Sequence, residues 1–138
     1  MPGKWNDDMV GETDLEQLGP VPSRVLLVED NAIVAMNAEE LLLEIGAATV
    51  IVAKTVAEAL ASCDEHEFDF ALLDLNLGQE TSISVAIRLH EARVPFAFAS
   101  GLHDLSQLPA TLSHSPILRK PYMLADLERM VRSPQFSS

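Results

Sequence analysis

The stretch from Phe68 to Gly78 constrains the fold of this chain more than any other. Its centre, Phe70 to Leu73, is a continuous apolar run of strand length, which is the pattern of a strand buried on both faces of a parallel sheet. The run ends at Asp74. Ligands bind just beyond the carboxyl ends of strands in open α/β sheets, so the Asp74 carboxylate is a candidate centre of function.

Short strand-like runs alternate along the chain with segments of helical periodicity. The predicted strands are Arg24–Val28, Ala48–Val52, the run ending at Asp74, Val94–Ala99 and Pro116–Arg119. The predicted helices follow Asn31 and span Thr55–Glu65, Ser82–Glu91, Leu105–Leu112 and Met123–Val131, the fourth weakened by Pro109. Such alternation predicts a parallel sheet with helices on both faces, because right-handed crossovers place helices on the two sides.

Composition and charge narrow the classes of function. The length of 138 residues suits one domain, and no apolar stretch approaches the roughly 18 residues of a spanning helix. The first residues lack the pattern of a secretory signal, so we expect a soluble, cytoplasmic protein without membrane insertion. A net charge of −12 argues against nucleic acid as a partner, because binding to the phosphate backbone requires clustered Lys and Arg.

The two ends of the chain differ from the alternating part. Residues 1–22 lack periodicity, are rich in acids and end in a segment with two prolines, which predicts a flexible acidic leader. Residues 23–132 form the predicted domain. Residues 133–138 are predicted to be a short C-terminal tail, too short for an output domain.

Polar side chains follow four of the predicted strands. Glu29 and Asp30 follow the first strand, Asp74 the third, Ser100 the fourth and Lys120 the fifth. Because the carboxyl ends of parallel strands lie along one edge of a sheet, these four segments are expected to converge on one pocket.

A pocket with this composition favours phosphoryl chemistry. Crowded carboxylates repel one another unless a cation lies among them, and hard oxygen ligands suit Mg²⁺. An aspartate such as Asp74 could then act as a nucleophile towards a phosphoryl group and form an acyl phosphate. Lys120 could pair with one phosphoryl oxygen while the Ser100 hydroxyl donates to another.

This ordered set of residues closely resembles the receiver domain of two-component response regulators, over the chain from Arg24 to Val131. The resemblance implies a flavodoxin-like (βα)5 fold, a doubly wound parallel sheet with strand order 2-1-3-4-5, in which Asp74 is phosphorylated. It further implies that Asp30 and Asp74 ligate Mg²⁺ directly, together with the backbone carbonyl of Asn76. Glu29 would act mainly through a bound water.

The same resemblance assigns roles around the switch. Ser100 would be the hydroxyl that moves towards the phosphoryl group, and Lys120 would be its counter-ion, followed by a cis peptide bond to Pro121. The position three residues before the lysine, usually an aromatic or His in the family, is Ile117 here. Tyr122 could substitute as the moving aromatic residue, or it could simply pack the start of the last helix.

The implied partners are a histidine kinase or a histidine phosphotransfer protein, and an unknown downstream protein. The sequence from Phe96 to Gly101 also resembles the aromatic-rich fourth strand of a receiver subgroup common in alphaproteobacteria, whose partners are often kinases of the HWE type. The chain would be a phosphoacceptor switch or a phosphate sink rather than an enzyme, its chemistry confined to its own phosphorylation and dephosphorylation.

Two alternatives remain at this point. A Mg²⁺-dependent aspartyl phosphatase of the haloacid dehalogenase type also uses an aspartate at a strand end, but it needs an acid where this chain has Asn76. A pseudo-receiver would bind proteins without being phosphorylated. The presence of the acids, the hydroxyl and the amine at their expected positions argues against a pseudo-receiver. Ile117, in place of the usual aromatic or His, is the observation that still supports it.

Overall fold

The computed structural model describes residues 19–101 and 108–132. Within these two ranges seven strands occur in chain order: β1 Arg24–Val28, β2 Thr49–Ala53, β3 Phe70–Asp74, β4 Asn76–Leu77, β5 Glu80–Thr81, β6 Phe96–Ser100 and β7 Ile117–Arg119. The α-helices are α1 Ala32–Ile45, α2 Val56–Glu65, α3 Ile83–Glu91 and α4 Leu124–Val131, and Ala110–Leu112 form a short 3-10 helix.

Five of the strands form one parallel sheet in the order β2-β1-β3-β6-β7. Because β6 and β7 are its fourth and fifth strands along the chain, this confirms the predicted order 2-1-3-4-5 and the flavodoxin-like fold. The pairing of Val28 with Leu73 and of Asp74 with Ala99 brings the carboxyl ends of β1, β3 and β6 to one edge. Ser100 pairs with Arg119, which adds the end of β7 to that edge.

The sheet separates two apolar layers. In β1, Leu26 and Val28 belong to the layer covered by α2 and α3, whereas Val25 and Leu27 belong to the layer covered by α1 and α4. Both faces of the sheet are therefore buried, which explains why its central strands are continuous apolar runs and not alternating ones.

The first two helices begin at side-chain caps, and the first ends at a glycine. The Asn31 side chain caps α1 by accepting hydrogen bonds from two backbone amides, each 3.0 Å long, and Gly46 ends the helix with a φ of 129°. Thr55 caps α2 by accepting the Glu58 N–H at 3.1 Å. The Glu58 carboxylate accepts the Lys54 N–H at 2.8 Å, one residue before the Thr55 amide that it would bond in a capping box.

Two segments differ from the prediction. The region after β3, expected as a loop, contains the antiparallel hairpin of β4 and β5, joined by Gly78 and Gln79. Gly78 has a φ of 66°, which matches the glycine-first two-residue turn of hairpins. Of the predicted fourth helix, residues 108–112 are described and only Ala110–Leu112 are helical, because Pro109 cannot donate to a preceding turn.

The predicted leader and tail lie mostly outside the described residues, and the domain boundaries stay a prediction. Within the described part, the Gly19 carbonyl accepts a 3.0 Å hydrogen bond from Arg132 Nε at the end of α4. Val21 lies beside Gly46, where an added Cβ would come within 3.3 Å of it. No helix in the described residues has the length and apolar character needed to cross a membrane.

The C-terminus of α3 carries an arginine in a backbone conformation that favours glycine. Arg93 has a φ of 62°, and its N–H donates to the His90 carbonyl while the Val94 N–H donates to the Leu89 carbonyl. This pair of hydrogen bonds is the Schellman pattern, in which the residue with positive φ is usually Gly.

We therefore expect Arg93→Gly to raise the free energy of unfolding by about 0.5–1 kcal/mol, because the left-handed conformation costs other residues roughly 1–2 kcal/mol. Urea denaturation measures the change. Ala92→Gly is the matched control, because Ala92 is helical at φ −85° and its replacement should destabilise the domain. A destabilised Arg93→Gly variant would contradict the expectation.

Candidate functional site

The predicted site residues converge at the carboxyl edge of the large sheet. Glu29 and Asp30 lie in the turn between β1 and α1, and Asp74 is the last residue of β3. Ser100 ends β6, and Lys120 follows β7 directly. Convergence results from parallel pairing, because each of these strands leaves the sheet at the same edge.

Three carboxylates form the acidic part of the site. Glu29, Asp30 and Asp74 each offer an oxygen, and these oxygens lie within 4.8 Å of one another. Glu29 is only 5% exposed, and its carboxylate accepts the Asn31 N–H at 3.1 Å. Asp30 is exposed, so the cluster opens towards solvent on that side.

Lys120 reaches into this cluster. Its Nζ lies 3.1 Å from Asp74 Oδ1 and 3.5 Å from Glu29 Oε1, with 31% of the lysine side chain exposed against 12% for Asp74. The backbone N–H of Lys120 donates to the Ser100 carbonyl at 3.0 Å, which fixes the base of the lysine against β6. The peptide bond from Lys120 to Pro121 is cis, as predicted.

The ionisation of the site reflects crowded negative charge. Burial raises the pKa of Glu29 above its usual value, the Asn31 N–H opposes that rise, and repulsion by Asp74 adds to it. Burial by itself would lower the pKa of Lys120, but attraction by Asp74 and then by Glu29 outweighs burial, so that pKa is raised. Lys120 is therefore held as a cation between two carboxylates.

The donor set fits a magnesium ion. Three carboxylates and one ammonium group leave an excess of negative charge, and hard oxygen ligands open to solvent are what Mg²⁺ prefers. Asn76 lies two residues after Asp74 at the start of β4, half-buried, so its backbone also belongs to this edge. Ser100 is buried, and its hydroxyl donates to the Gly101 carbonyl at 3.1 Å.

Comparison with known proteins settles the family. Residues 25–132 match the family model described as the response regulator receiver domain. The chain belongs to this family. A receiver domain is the phosphoacceptor part of a response regulator in two-component signalling, and this is the class of protein to which the fold and the acidic pocket correspond.

Several known proteins are similar to this receiver domain. The solution structure of SdrG from Sphingomonas melonis Fr1 is 33% identical, with a TM-score of 0.70 over 81% of this chain and 95% of that one. A response regulator receiver protein from Sinorhizobium medicae WSM419 is 25% identical, with a TM-score of 0.70 over 83% of this chain and 93% of that one.

A curated relative is longer than this chain. The transcriptional regulatory protein PdtaR of Mycobacterium tuberculosis is 28% identical over 110 residues, which are 78% of this chain and 54% of that protein. The receiver domain thus spans about half the length of the curated relatives that it matches.

Ile117, at the position where the family usually has an aromatic residue, and Tyr122, its possible substitute, pack on opposite sides of the sheet. Ile117 is half-buried in β7 and packs against the apolar layer under α2 and α3. Tyr122 packs against the opposite layer, and it lines a groove with Leu41 of α1. Burial raises the pKa of Tyr122, as expected for a packed phenol. These contacts favour the packing role for Tyr122, which lies on the other side of the sheet from Ile117.

Ser82, at the N-terminal end of α3, carries a buried hydroxyl. It is fully buried, and its Oγ has no hydrogen-bond partner among the described residues. Its backbone N–H, by contrast, donates to the Leu75 carbonyl at 3.0 Å. A buried hydroxyl without a partner carries an uncompensated desolvation cost.

We expect Ser82→Ala to raise the free energy of unfolding by about 1 kcal/mol, because it removes this buried hydroxyl while keeping the backbone hydrogen bond. Chemical denaturation of the two proteins side by side measures the difference. A loss of stability in the variant would mean that the hydroxyl makes a stabilising hydrogen bond in solution.

One contact of the hairpin that follows Asp74 has no counterpart among the sequence predictions. Glu80, in β5, accepts the Val56 N–H at the start of α2 through its carboxylate, at 3.2 Å. The glycine-first turn at Gly78 and Gln79 was the available signal for the hairpin that places Glu80 there. The long-range hydrogen bond itself has no sequence signature.

Proposed function

We propose that this receiver domain accepts a phosphoryl group on Asp74 from a histidine kinase or a histidine phosphotransfer protein. The observation that carries the proposal is the Lys120 ammonium, 3.1 Å from the Asp74 carboxylate and inside a cluster of two further acids. A lone strand-end aspartate has many uses, whereas an aspartate with its own cation among metal-binding acids is suited to phosphoryl transfer.

In this proposal each residue has a defined role. The carboxylates of Asp30 and Asp74 and the backbone carbonyl of Asn76 would hold Mg²⁺, and Glu29 would contact it mainly through water. Mg²⁺ bound there would supply positive charge to the phosphoryl oxygens. An Asp74 oxygen forms the new bond to phosphorus while the bond from phosphorus to the donor imidazole nitrogen breaks. Lys120 pairs with a phosphoryl oxygen, because its ammonium group already lies beside the nucleophile.

Ser100 completes the pocket in this proposal. Its hydroxyl, which donates to the Gly101 carbonyl at 3.1 Å, would turn to donate to the transferred phosphoryl group. The Ser100 carbonyl accepts a hydrogen bond from the Lys120 N–H. A shift of the serine backbone would therefore also move the backbone at the end of β7. The chemistry of the domain would be confined to its own phosphorylation and to hydrolysis of the resulting acyl phosphate.

The surface beside the pocket suits a protein phosphoryl donor. Apolar side chains are exposed at the first turns of α1 and before α4: Ile33, Val34, Met36 and Met123. A groove of about 360 Å³ runs from Lys120 along α1. Exposed apolar side chains of this kind support docking of a kinase or phosphotransfer protein, and the sequence of β6 supports a kinase of the HWE type.

The signal would be transmitted through contact with a downstream protein, or the domain would act as a phosphate sink in the cytoplasm.

A second candidate function rests on Ile117, which lacks the aromatic ring that in the family usually moves together with the switch hydroxyl. A pseudo-receiver would present the same surfaces without being phosphorylated.

Intact-protein mass spectrometry tests the proposal. After incubation with acetyl phosphate and Mg²⁺, the protein should gain the mass of one phosphoryl group, and chelation of Mg²⁺ before the reaction should prevent the gain. A folded protein that is not modified by acetyl phosphate, or by a panel of histidine kinases including the HWE type, would favour the pseudo-receiver.

A further inference from the structure

The hairpin of β4 and β5 follows Asp74 after a single buried residue, Leu75. Its first strand begins with Asn76, which pairs with Thr81 in the second strand. Asn76 therefore lies between Leu75, whose N–H donates to the Ala99 carbonyl at 3.1 Å, and the remainder of a strand of only two residues. Strands this short contribute little stability of their own.

Other contacts hold the hairpin to the domain. Leu77 is 4% exposed and packs into the apolar layer under α2 and α3. The second strand is exposed at Glu80, yet its carboxylate accepts the Val56 N–H at 3.2 Å. This hydrogen bond connects the outer strand of the hairpin to α2, across 24 residues of sequence.

We propose that Glu80 is a positioning residue for the phosphorylation site, an inference that rests on the proposed function. By accepting the Val56 N–H, Glu80 fixes β5 against α2. Because Asn76 pairs with Thr81 beside Glu80, fixing β5 also fixes the Asn76 backbone at the edge where Asp74 and the other acids lie. Without Glu80, the hairpin would sample open conformations in which the Asn76 carbonyl faces away from the cation.

The alternative, that Glu80 merely caps α2, is weaker. The helix already has its own cap, because Thr55 Oγ1 accepts the Glu58 N–H, and the Glu58 carboxylate also holds the chain before the helix by accepting the Lys54 N–H. The hydrogen bond to Glu80 therefore stabilises the helix less than it stabilises the hairpin in which Glu80 lies. A hydrogen bond between two elements restrains the less stable one more. The hairpin is also closed at its base, where the Ser82 N–H donates to the Leu75 carbonyl at 3.0 Å, and the Glu80 carboxylate adds a hydrogen bond nearer to the turn.

The test compares Glu80→Ala with Glu80→Gln and with Glu58→Ala. Glu80→Ala removes the acceptor, and Glu80→Gln keeps an acceptor oxygen but removes the charge. Glu58→Ala removes an acceptor from the N-terminus of the same helix without touching the hairpin. Isothermal titration with Mg²⁺ gives the dissociation constant, and hydrogen exchange reports the opening of backbone amides in residues 76–81.

We expect Glu80→Ala to raise the Mg²⁺ dissociation constant about fivefold, equivalent to about 1 kcal/mol, and to accelerate hydrogen exchange in residues 76–81 by a similar factor. Glu80→Gln should retain most of the affinity. Glu58→Ala should leave both quantities close to those of the wild type.

Three results would overturn the inference: unchanged exchange in the hairpin of Glu80→Ala, equal loss of affinity in Glu80→Gln and Glu80→Ala, or the same loss in Glu58→Ala. The second would indicate a charge effect, and the third a cap effect. A wild type that binds no Mg²⁺ would count against the proposed function, and hydrogen exchange would still decide whether Glu80 holds the hairpin.

Discussion

The Asp74→Asn variant is expected to lose phosphorylation by acetyl phosphate by a factor on the order of 10³ or more, because an amide is a far poorer nucleophile than a carboxylate. The substitution preserves the shape of the side chain and an oxygen acceptor for Lys120, so the pocket should remain assembled. The initial rate of mass gain at fixed Mg²⁺ concentration measures the effect.

The control for this variant is Asp64→Asn. Asp64 is exposed, lies near the end of α2 and pairs with Arg88 at 2.8 Å, whereas the acids of the site lie at the carboxyl ends of β1 and β3. Its replacement should leave the rate of phosphorylation unchanged. Phosphorylation of Asp74→Asn at a rate within tenfold of the wild type would contradict the assignment of Asp74 as the acceptor.

The Lys120→Met variant should show the second large effect. Loss of the ammonium group that we propose to face the transferred phosphoryl group should slow phosphorylation by a factor on the order of 10². It should also lower the free energy of unfolding by about 2 kcal/mol without Mg²⁺, because Glu29 and Asp74 lose their counter-ion in a largely buried cluster. The estimate is below that for a fully buried pair, because the lysine is partly exposed.

Urea denaturation in the presence of a chelator, and again with Mg²⁺, measures the stability effect. Mg²⁺ should recover part of the lost stability, because a cation among the carboxylates offsets their repulsion. Arg119→Met is the matched control, since Arg119 is the neighbouring cation but is exposed on β7. Equal effects of the two substitutions on rate and stability would contradict a specific role for Lys120.

The fold could be predicted because its signals are local and mutually consistent. The run from Phe70 to Leu73 is apolar throughout, since both faces of β3 are buried. The caps at Asn31 and Thr55 and the glycine at position 46 mark helix ends through their own hydrogen bonds or backbone angles. Alternation of strands and helices then leaves few possible topologies.

The candidate site could be predicted in outline for the same reason. Once the strands are parallel, Asp74, Ser100 and Lys120 must meet at one edge, whatever the details of packing. The sequence does not specify which oxygen the Lys120 ammonium approaches, because that distance depends on turns around Glu29 and on the register of β7 with β6.

The features that the sequence missed depend on contacts between distant segments. A two-residue strand such as Asn76–Leu77 is too short for alternation to be visible, and the hydrogen bond from Val56 to Glu80 joins residues 24 positions apart. Ile117 and Tyr122 pack against opposite faces of the sheet, which a three-residue strand cannot reveal.

Chemical mapping of the phosphorylated wild type tests the central claim most directly. Borohydride reduces an aspartyl phosphate to homoserine, so peptide sequencing by mass spectrometry identifies the aspartate that carried the phosphoryl group. The account predicts homoserine at position 74 alone, and none when Mg²⁺ is chelated before phosphorylation. Homoserine at position 30 instead, or modification that persists in Asp74→Asn, would contradict it.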